Sequence, residues 1–359
     1  MKKILFICPY PKNTVPAQRL KYEQYISIFE KNNFSCTIES FFNSREYGII
    51  HKKGFFFSKV IAVLSGYVRR ILLLFNLKKY DLIYIFLNVT PLGGNLFEKI
   101  FRKLSSKIIY DIDDLVYLNK YSEQNKLAKY FRFSKKYYYL MESSEHVITC
   151  TSYLNNFVKK YNKNTTNISS TINTKKYIPI KKNKNYNNVV LGWTGSFSTL
   201  PYLHLIDDVI NEIQQSYVCP IHIIGSTKEK FKFVNYKSFK WNSKSEVRIL
   251  NTIDIGLYPL PNEEWVKGKS GLKAIQFMAL GIPVVATDTE INRKVIINNK
   301  TGFLVKSNKD WIKKIKLLIK NKKLRYKIGL NGIKHVEKNF SIDVNKEKYL
   351  KILNKLTSK

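Results

Sequence analysis

KGKSGLKAIQFMALGIPVVAT, residues 267–287, sets the architecture. From 270 to 280 the apolar residues recur at helical spacing. Gly281 then stands where a left-handed C′ residue ends a helix, and Pro283 prevents its continuation. Residues 284–287 read as a short buried strand. A helix delivered directly into an apolar strand is the repeating unit of a parallel sheet covered by helices.

The same alternation extends in both directions. Upstream lie strand-like runs at 189–193, 221–225 and 254–258, the last ending at Pro259, with a helix near 202–214; downstream, three helical segments fall at about 309–320, 323–338 and 342–356. In the first half, strand 3–8 leads to a helix carrying Tyr22, Tyr25, Ile26 and Phe29, followed by alternating Phe34, Cys36 and Ile38. Further strands are predicted at 81–87, 107–112 and 146–150, with Thr151 and Ser152 placed to cap the next helix. Between the halves, KKYIPIKKNKNYNN (175–188) loses all apolar period and reads as a linker. The expected fold class is α/β: one doubly wound domain over 1–174 and a second over 189–338.

A length of 359 residues suits two domains, and a 44% hydrophobic share excludes a disordered chain. Lys+Arg number 62 against 26 Asp+Glu, a net +36, which either draws the chain toward a polyanion or reflects Lys-, Asn- and Ile-rich coding. Nucleic acid is not the expected partner, since no RNA- or DNA-binding module accompanies the charge. Cys8, Cys36, Cys150 and Cys219 stand singly and read as buried, reduced thiols; the five histidines lack ligand spacing, so no metal site is predicted. Residues 3–8 are too short for a secretory h-region, which points to the cytoplasm. Segment 55–77, FFFSKVIAVLSGYVRRILLLFNL, is long enough for a bilayer but carries Lys59, Arg69 and Arg70. It is expected to lie on an anionic membrane surface with these cations snorkelling, flanked by Lys52, Lys53, Lys78 and Lys79; an ordinary buried helix is the other reading.

Ligands of open α/β sheets bind beyond the carboxyl ends of the strands. There, Gly192-Trp193-Thr194-Gly195-Ser196 offers glycines that let backbone N–H groups approach an anion, or simply make a turn. Lys267-Gly268-Lys269-Ser270-Gly271-Leu272-Lys273 brings three lysines to a helix start, where cations oppose the macrodipole unless an anion accompanies them. It reads as a diphosphate-binding loop or, alternatively, an exposed charged face. The P-loop pattern is absent.

With these residues in view, GLKAIQFMALGIPVVATDTEINRKVIINNKTGFLV resembles the donor-domain signature of family 4 glycosyltransferases. KILFICPYPKN, IIYDIDDLVYL, GWTGS and TGFLV are similar too, in the expected order across nearly the whole chain. The resemblance implies a GT-B fold, two Rossmann-like domains facing a cleft, with a C-terminal helix over 339–359 returning to the first domain. It implies sugar transfer, with retained anomeric configuration and without metal or cofactor, from a UDP- or GDP-linked nucleotide sugar. A lipid-linked or surface glycan at the cytoplasmic membrane face is the expected acceptor. A non-catalytic GT-B protein that binds nucleotide or glycan is the alternative.

Three departures from the family pattern bear on the site. Gly268 and Gln276 stand where many relatives carry two glutamates; Gln276 can still hydrogen-bond a ribose hydroxyl, and Glu263 or Glu264 either replaces the sugar contact or is an exposed loop acid. Ser196 occupies the position of a diphosphate-binding arginine, leaving Lys267, Lys269 and above all Lys273 to compensate. Asp113 replaces the histidine of an Asp-x-His-Asp motif, where Asp111, Asp113 and Asp114 either position an acceptor hydroxyl or cap the next helix. The candidate catalytic residues are therefore Asp113 and Lys273. Gly195, Ser196, Lys267, Lys269, Ser270, Gly271 and Gln276 are the donor-binding candidates. Arg19, which can instead pair with Glu23, and Asn88 are the acceptor-binding candidates. Trp193, Trp241 and Tyr258 sit near strand ends as base or sugar contacts or, more ordinarily, as core.

Overall fold

The computed structural model describes residues 1–52, 54–118, 133–180, 188–196, 198–225 and 229–358. Half of the segment read as a linker, residues 181–187, lies outside them. The chain divides into two compact units: 1–170 with 345–359, and 171–344.

In the first unit the order is β1 (Lys2–Cys8), α1 (Pro16–Arg19), α2 (Ile26–Lys31), β2 (Phe34–Ser40), α3 (Ser44–Ile50) and α4 (Phe56–Leu74). It continues through β3 (Leu82–Phe86), α5 (Leu96–Leu104), β4 (Ile108–Ile112), α6 (Lys135–Ser143), β5 (His146–Thr149), α7 (Ser152–Val158) and β6 (Thr165–Asn167). The six strands pair in parallel in the order β2-β1-β3-β4-β5-β6. Ile4 through Cys8 are fully buried. Phe6 stacks on Phe29 of α2 at 6.1 Å and tilts against Tyr84 at 4.8 Å, so helical and sheet aromatics share one core. Each such side chain contributes roughly 2 kcal/mol by leaving water.

The second unit runs β7 (Leu191–Thr194), α8 (Asp207–Ser216), β8 (Ile221–Ile224), β9 (Tyr236–Phe239), α9 (Glu246–Leu250), β10 (Ile255–Tyr258) and α10 (Leu272–Ala279). Then follow β11 (Val284–Thr287), α11 (Glu290–Val295), β12 (Gly302–Val305), α12 (Asn308–Lys320) and α13 (Lys322–Asn339). Its parallel sheet has the order β12-β11-β10-β7-β8-β9. Gly281 ends α10 with φ +68°, as its sequence position demands. The final helix, α14 (Ile342–Thr357), begins in the second unit; from Asn345 on it belongs to the first, where Tyr349 packs on Tyr25 at 4.7 Å.

Both sheets are doubly wound, as the alternation of strands and helices predicts. Edge strands β6 and β9 escaped the sequence reading because they are polar and open to solvent on the outside of their sheets, so no apolar run marks them. The helix expected near 202–214 starts instead as 3-10 turns over Leu200–Ile206, where Pro201 lacks an N–H, and turns α only at Asp207. Cys36 is half-buried, not buried like the other three thiols, since β2 is the opposite edge of its sheet.

The arginines of segment 55–77 do not snorkel. Arg69 donates to Phe41 O and pairs with Glu46, while Arg70 is buried and donates to Val89 O at 2.9 Å, Glu39 O at 3.3 Å and Cys8 O at 2.9 Å. One guanidinium thus gathers carbonyls from the carboxyl ends of β1, β2 and β3. The signal was present in the spacing: Ala62, Gly66 and Arg70 fall four apart and form the inner face of α4. Gly66 is required there, because a Cβ would lie 2.3 Å from the Phe41 ring.

Candidate functional site

Each unit presents chemistry above the carboxyl ends of its strands, where an open α/β sheet forms a crevice at the place its strand order reverses. In the second unit that place is between β7 and β10. Lys273, in the first turn of α10, reaches across it. Its Nζ donates to Thr199 Oγ1 at 3.0 Å and lies 4.5 Å from the Trp193 ring centroid and 5.8 Å from that of Tyr258, near the carboxyl ends of β7 and β10. By surface the residue is only half-buried, yet its ammonium is packed among rings. That burial, reinforced by Lys269, pushes it down from 10.5 to about 7, and no carboxylate is among the groups acting on it.

The glycines beside it are dictated by contact. Gly225 has φ +123°, and a Cβ there would lie 1.7 Å from Gly195 O; a Cβ on Gly195 would meet Trp193 at 2.4 Å and Thr199 Oγ1 at 2.5 Å. The ends of β7 and β8 can therefore close up only as glycine. Ser196 is exposed, its Oγ 2.8 Å from Ser198 Oγ, and its carbonyl accepts Thr199 N at 3.0 Å. Gly271, φ +69°, is the N-cap of α10 and offers no side-chain cap, so the first amides of the helix point outward from its amino end. Lys269 is half-buried with Nζ 5.2 Å from the Trp265 ring, Ser270 is half-buried, and Lys267 is exposed, as are Glu263 and Glu264. The structure thus brings Gly195, Ser196, Gly271 and Lys273 to one switch and leaves Lys267 at the surface.

Gln276 lies one turn deeper and is buried. Its amide donates to Tyr177 Oη at 2.9 Å and Glu246 Oε1 at 3.1 Å; Trp241 Nε1 donates to the same carboxylate at 3.0 Å, and Tyr177 Oη to Glu246 Oε2 at 3.1 Å. A carboxylate is present beside this position after all, supplied by α9. Sequence reasoning missed Glu246 because nothing along the chain links it to Gln276, thirty residues away.

In the first unit β3 and β4 are neighbours with Phe86 opposite Asp111, so Asn88 and Asp113 emerge side by side at the carboxyl end. Leu87 adopts φ +65° and Asp114 φ +53°, two strained positions at adjacent strand ends, each costing about 1–3 kcal/mol. Asn88 is 8% exposed, and its Oδ1 is buried with no hydrogen-bond partner among the described residues. Burial pushes Asp113 up to about 6; Lys21 and a hydrogen bond with Cys150 oppose the rise, and Asp114 adds to it. Lys21 is itself buried and pairs with Asp111, which also accepts Tyr84 Oη at 2.5 Å. Lys21 is a further residue that the sequence did not single out. Arg19 is half-buried in α1; Glu23 accepts Gln18 Nε2 at 2.6 Å and Asn13 N at 2.9 Å, with Arg19 acting on it as a nearby positive charge. Among the described residues no group of three or more His, Cys, Asp or Glu is assembled as a metal site.

Two doubly wound units, one with an uncompensated cation at its switch and the other with an orphaned acceptor and a carboxylate at neighbouring strand ends, define a ligand-handling α/β protein. Residues 165–335 match the family model described as Glycosyl transferases group 1, so the chain carries a domain of that group. The chain is 26% identical over 170 residues to the capsular polysaccharide biosynthesis glycosyltransferase CapM of Staphylococcus aureus, covering 44% of this chain and 43% of that protein. The chain spans less than half the length of the curated relatives it matches. Sucrose-phosphate synthase from Thermosynechococcus elongatus superposes with a TM-score of 0.70 at 14% identity over 99% of both chains. HepE of Anabaena, solved with UDP-glucose, does so at 0.68 and 13% identity over 99% of this chain and 100% of HepE. The shared fold is GT-B.

Proposed function

We propose that this protein is a retaining, metal-independent glycosyltransferase of the hexosyl-transferring kind. It moves a sugar from a UDP- or GDP-linked donor to a lipid-linked or surface glycan at the cytoplasmic face of the membrane. No cofactor takes part; the nucleotide sugar is a co-substrate. The observation that carries the reading is Lys273, a cation held at the β7/β10 switch without a carboxylate to neutralise it.

In such a transfer the bond from the anomeric carbon to the phosphate oxygen breaks and its electron pair leaves with the diphosphate. Lys273, protonated as the diphosphate binds, and the amides at the start of α10 supply positive charge where that negative charge develops. The acceptor oxygen forms the new bond, and Asp113, ionised at neutral pH, is suited to orient the hydroxyl and take its proton, with Asn88 Oδ1 as a second acceptor. Related chemistry supports the donor class: HepE is solved with UDP-glucose, and TarM of S. aureus with UDP and alpha-GlcNAc-glycerol. CapM is named for capsular polysaccharide biosynthesis, in keeping with a glycan acceptor.

One observation favours the non-catalytic alternative, in which the fold binds nucleotide or glycan only: the Gln276 amide is already committed to Tyr177 and Glu246. A screen of UDP, GDP, ADP and CMP binding, repeated with Lys273→Ala and followed by donor turnover, separates the readings. Selective binding lost in the variant, together with donor hydrolysis, supports transfer. Binding with no turnover of any donor supports the alternative, and no nucleotide binding at all removes transfer and the nucleotide-binding form of the alternative.

A further inference from the structure

We infer that α4 is a bilayer-docking surface, inserted into anionic membranes by a charge-free apolar face. The inference rests on the membrane-face part of the proposed function and assigns it to named residues. At 100° per residue, Phe57, Ile61, Leu64, Val68, Ile71, Leu72 and Phe75 fall within an arc of about 100°. All are exposed, from 46% at Ile71 to 81% at Phe75. Diametrically opposite lie Ala62, Gly66 and Arg70, which hold the helix to its unit. An exposed apolar stripe of this length on a water-soluble surface calls for a partner.

Charge selects the partner. Residues 47–80 contain no acidic residue and seven cations. Arg69 and Arg70 are turned inward, so the outward stripe carries none of the charge. Lys52 is exposed before the helix, and Lys78 and Lys79 are exposed after it. Cations at both ends of an apolar stripe match a bilayer, whose anionic headgroups meet the lysines while the acyl region takes the rings and branched chains. A second copy of the chain fits poorly, because symmetric pairing would bring the same lysines together with no carboxylate to offset them.

Placement ties the surface to the acceptor end of the unit. Arg70 grips Cys8 O and Val89 O, and Val89 adjoins Asn88. A membrane meeting the outer face of α4 therefore lies about one helix diameter, roughly 10 Å, from the ends of β1 and β3, the latter carrying Asn88. A lipid-anchored acceptor would present its polar head at that height.

The test is co-sedimentation of the full chain with phosphatidylcholine vesicles and with vesicles containing about one third phosphatidylglycerol. The variants are Ile61→Ser/Leu64→Ser/Val68→Ser and Lys78→Gln/Lys79→Gln. The wild type is expected to partition into the anionic vesicles. The triple variant should bind about a thousandfold more weakly, at roughly tenfold per large side chain withheld from the bilayer. Its thermal midpoint should be unchanged, because these side chains face outward. The lysine variant should lose about thirtyfold on anionic vesicles only. A wild type that stays in the supernatant, or a triple variant that sediments like the wild type, overturns the inference. So does a wild-type dimer that the triple substitution dissociates while neither protein binds vesicles. Donor hydrolysis, measured in parallel, keeps the two proposals apart: vesicle binding without turnover of any donor refutes sugar transfer and leaves docking standing. Turnover without vesicle binding does the reverse.

Discussion

Replacing Lys273 by methionine, which keeps the length of the side chain and removes its charge, should stabilise the free protein and weaken nucleotide binding together. The pKa of the buried ammonium, about 7, lies below the 10.5 of the unfolded chain, so unfolding takes up a proton. That penalty is fully present below about 7 and fades as the pH rises toward 10.5. The gap corresponds to a ceiling of about 5 kcal/mol, which the partly open position of the residue reduces to roughly 2–3 kcal/mol. Lys273→Met should accordingly raise the thermal midpoint near neutral pH by about 4–10 °C and leave it unchanged near pH 10. Nucleoside diphosphate affinity should fall about 10- to 100-fold with the loss of a charge-assisted hydrogen bond. Calorimetry in two buffers of different ionisation enthalpy adds a third readout. At pH 8 the free lysine is mostly neutral, and closing on a diphosphate should draw in close to one proton, a signal absent in the variant. A lowered midpoint at neutral pH with affinity unchanged would show Lys273 to be an ordinary structural residue and refute the reasoning.

Other consequences are equally direct. Gly225→Ala should cost about 3 kcal/mol or more, because its Cβ would lie 1.7 Å from Gly195 O at φ +123°; a chemical-denaturation midpoint within error of wild type would contradict the contact. Asp113 has its pKa raised from 3.8 to about 6, so its contribution to stability is present below 3.8 and lost as the pH rises through 6. Asp113→Asn should therefore be about 2–3 kcal/mol more stable than wild type at pH 8 and equal at pH 3.5, while its turnover loses the acid limb near pH 6; an unaltered pH profile removes Asp113 from the reaction. Gln276→Glu should destabilise by about 2–4 kcal/mol by setting a second buried carboxylate against Glu246, and adding Glu246→Gln should restore most of the loss. Additive effects in that double-mutant cycle would deny the pairing. Arg70→Met should cost about 3 kcal/mol by leaving the carbonyls of Cys8, Glu39 and Val89 without their donor, as urea unfolding would report.

Much of the fold was legible along the chain. Gly281 and Pro283 bounded α10, apolar runs marked the buried strands, and Thr151 capped α7 by accepting Leu154 N at 3.1 Å. These features depend on residues within a turn or two of one another, so local spacing and conformational preference suffice to fix them. The position of Lys273 at a helix start next to a strand end was legible for the same reason.

What the tertiary structure alone decided is where side chains with two equally plausible destinations go. Arg69 and Arg70 fit a snorkelling cation as well as a buried clasp; only the carbonyls of Cys8, Glu39, Phe41 and Val89, 19 to 62 residues away, turned them inward. Gln276 read as a ribose contact until Tyr177 and Glu246 arrived from 99 and 30 residues off. Lys21 had no visible role before the sheet set Asp111, 90 residues on, against it. A sequence fixes which groups a chain carries and the local shape of its backbone, but the charge a buried group bears and the partner it satisfies are set by neighbours that only folding delivers.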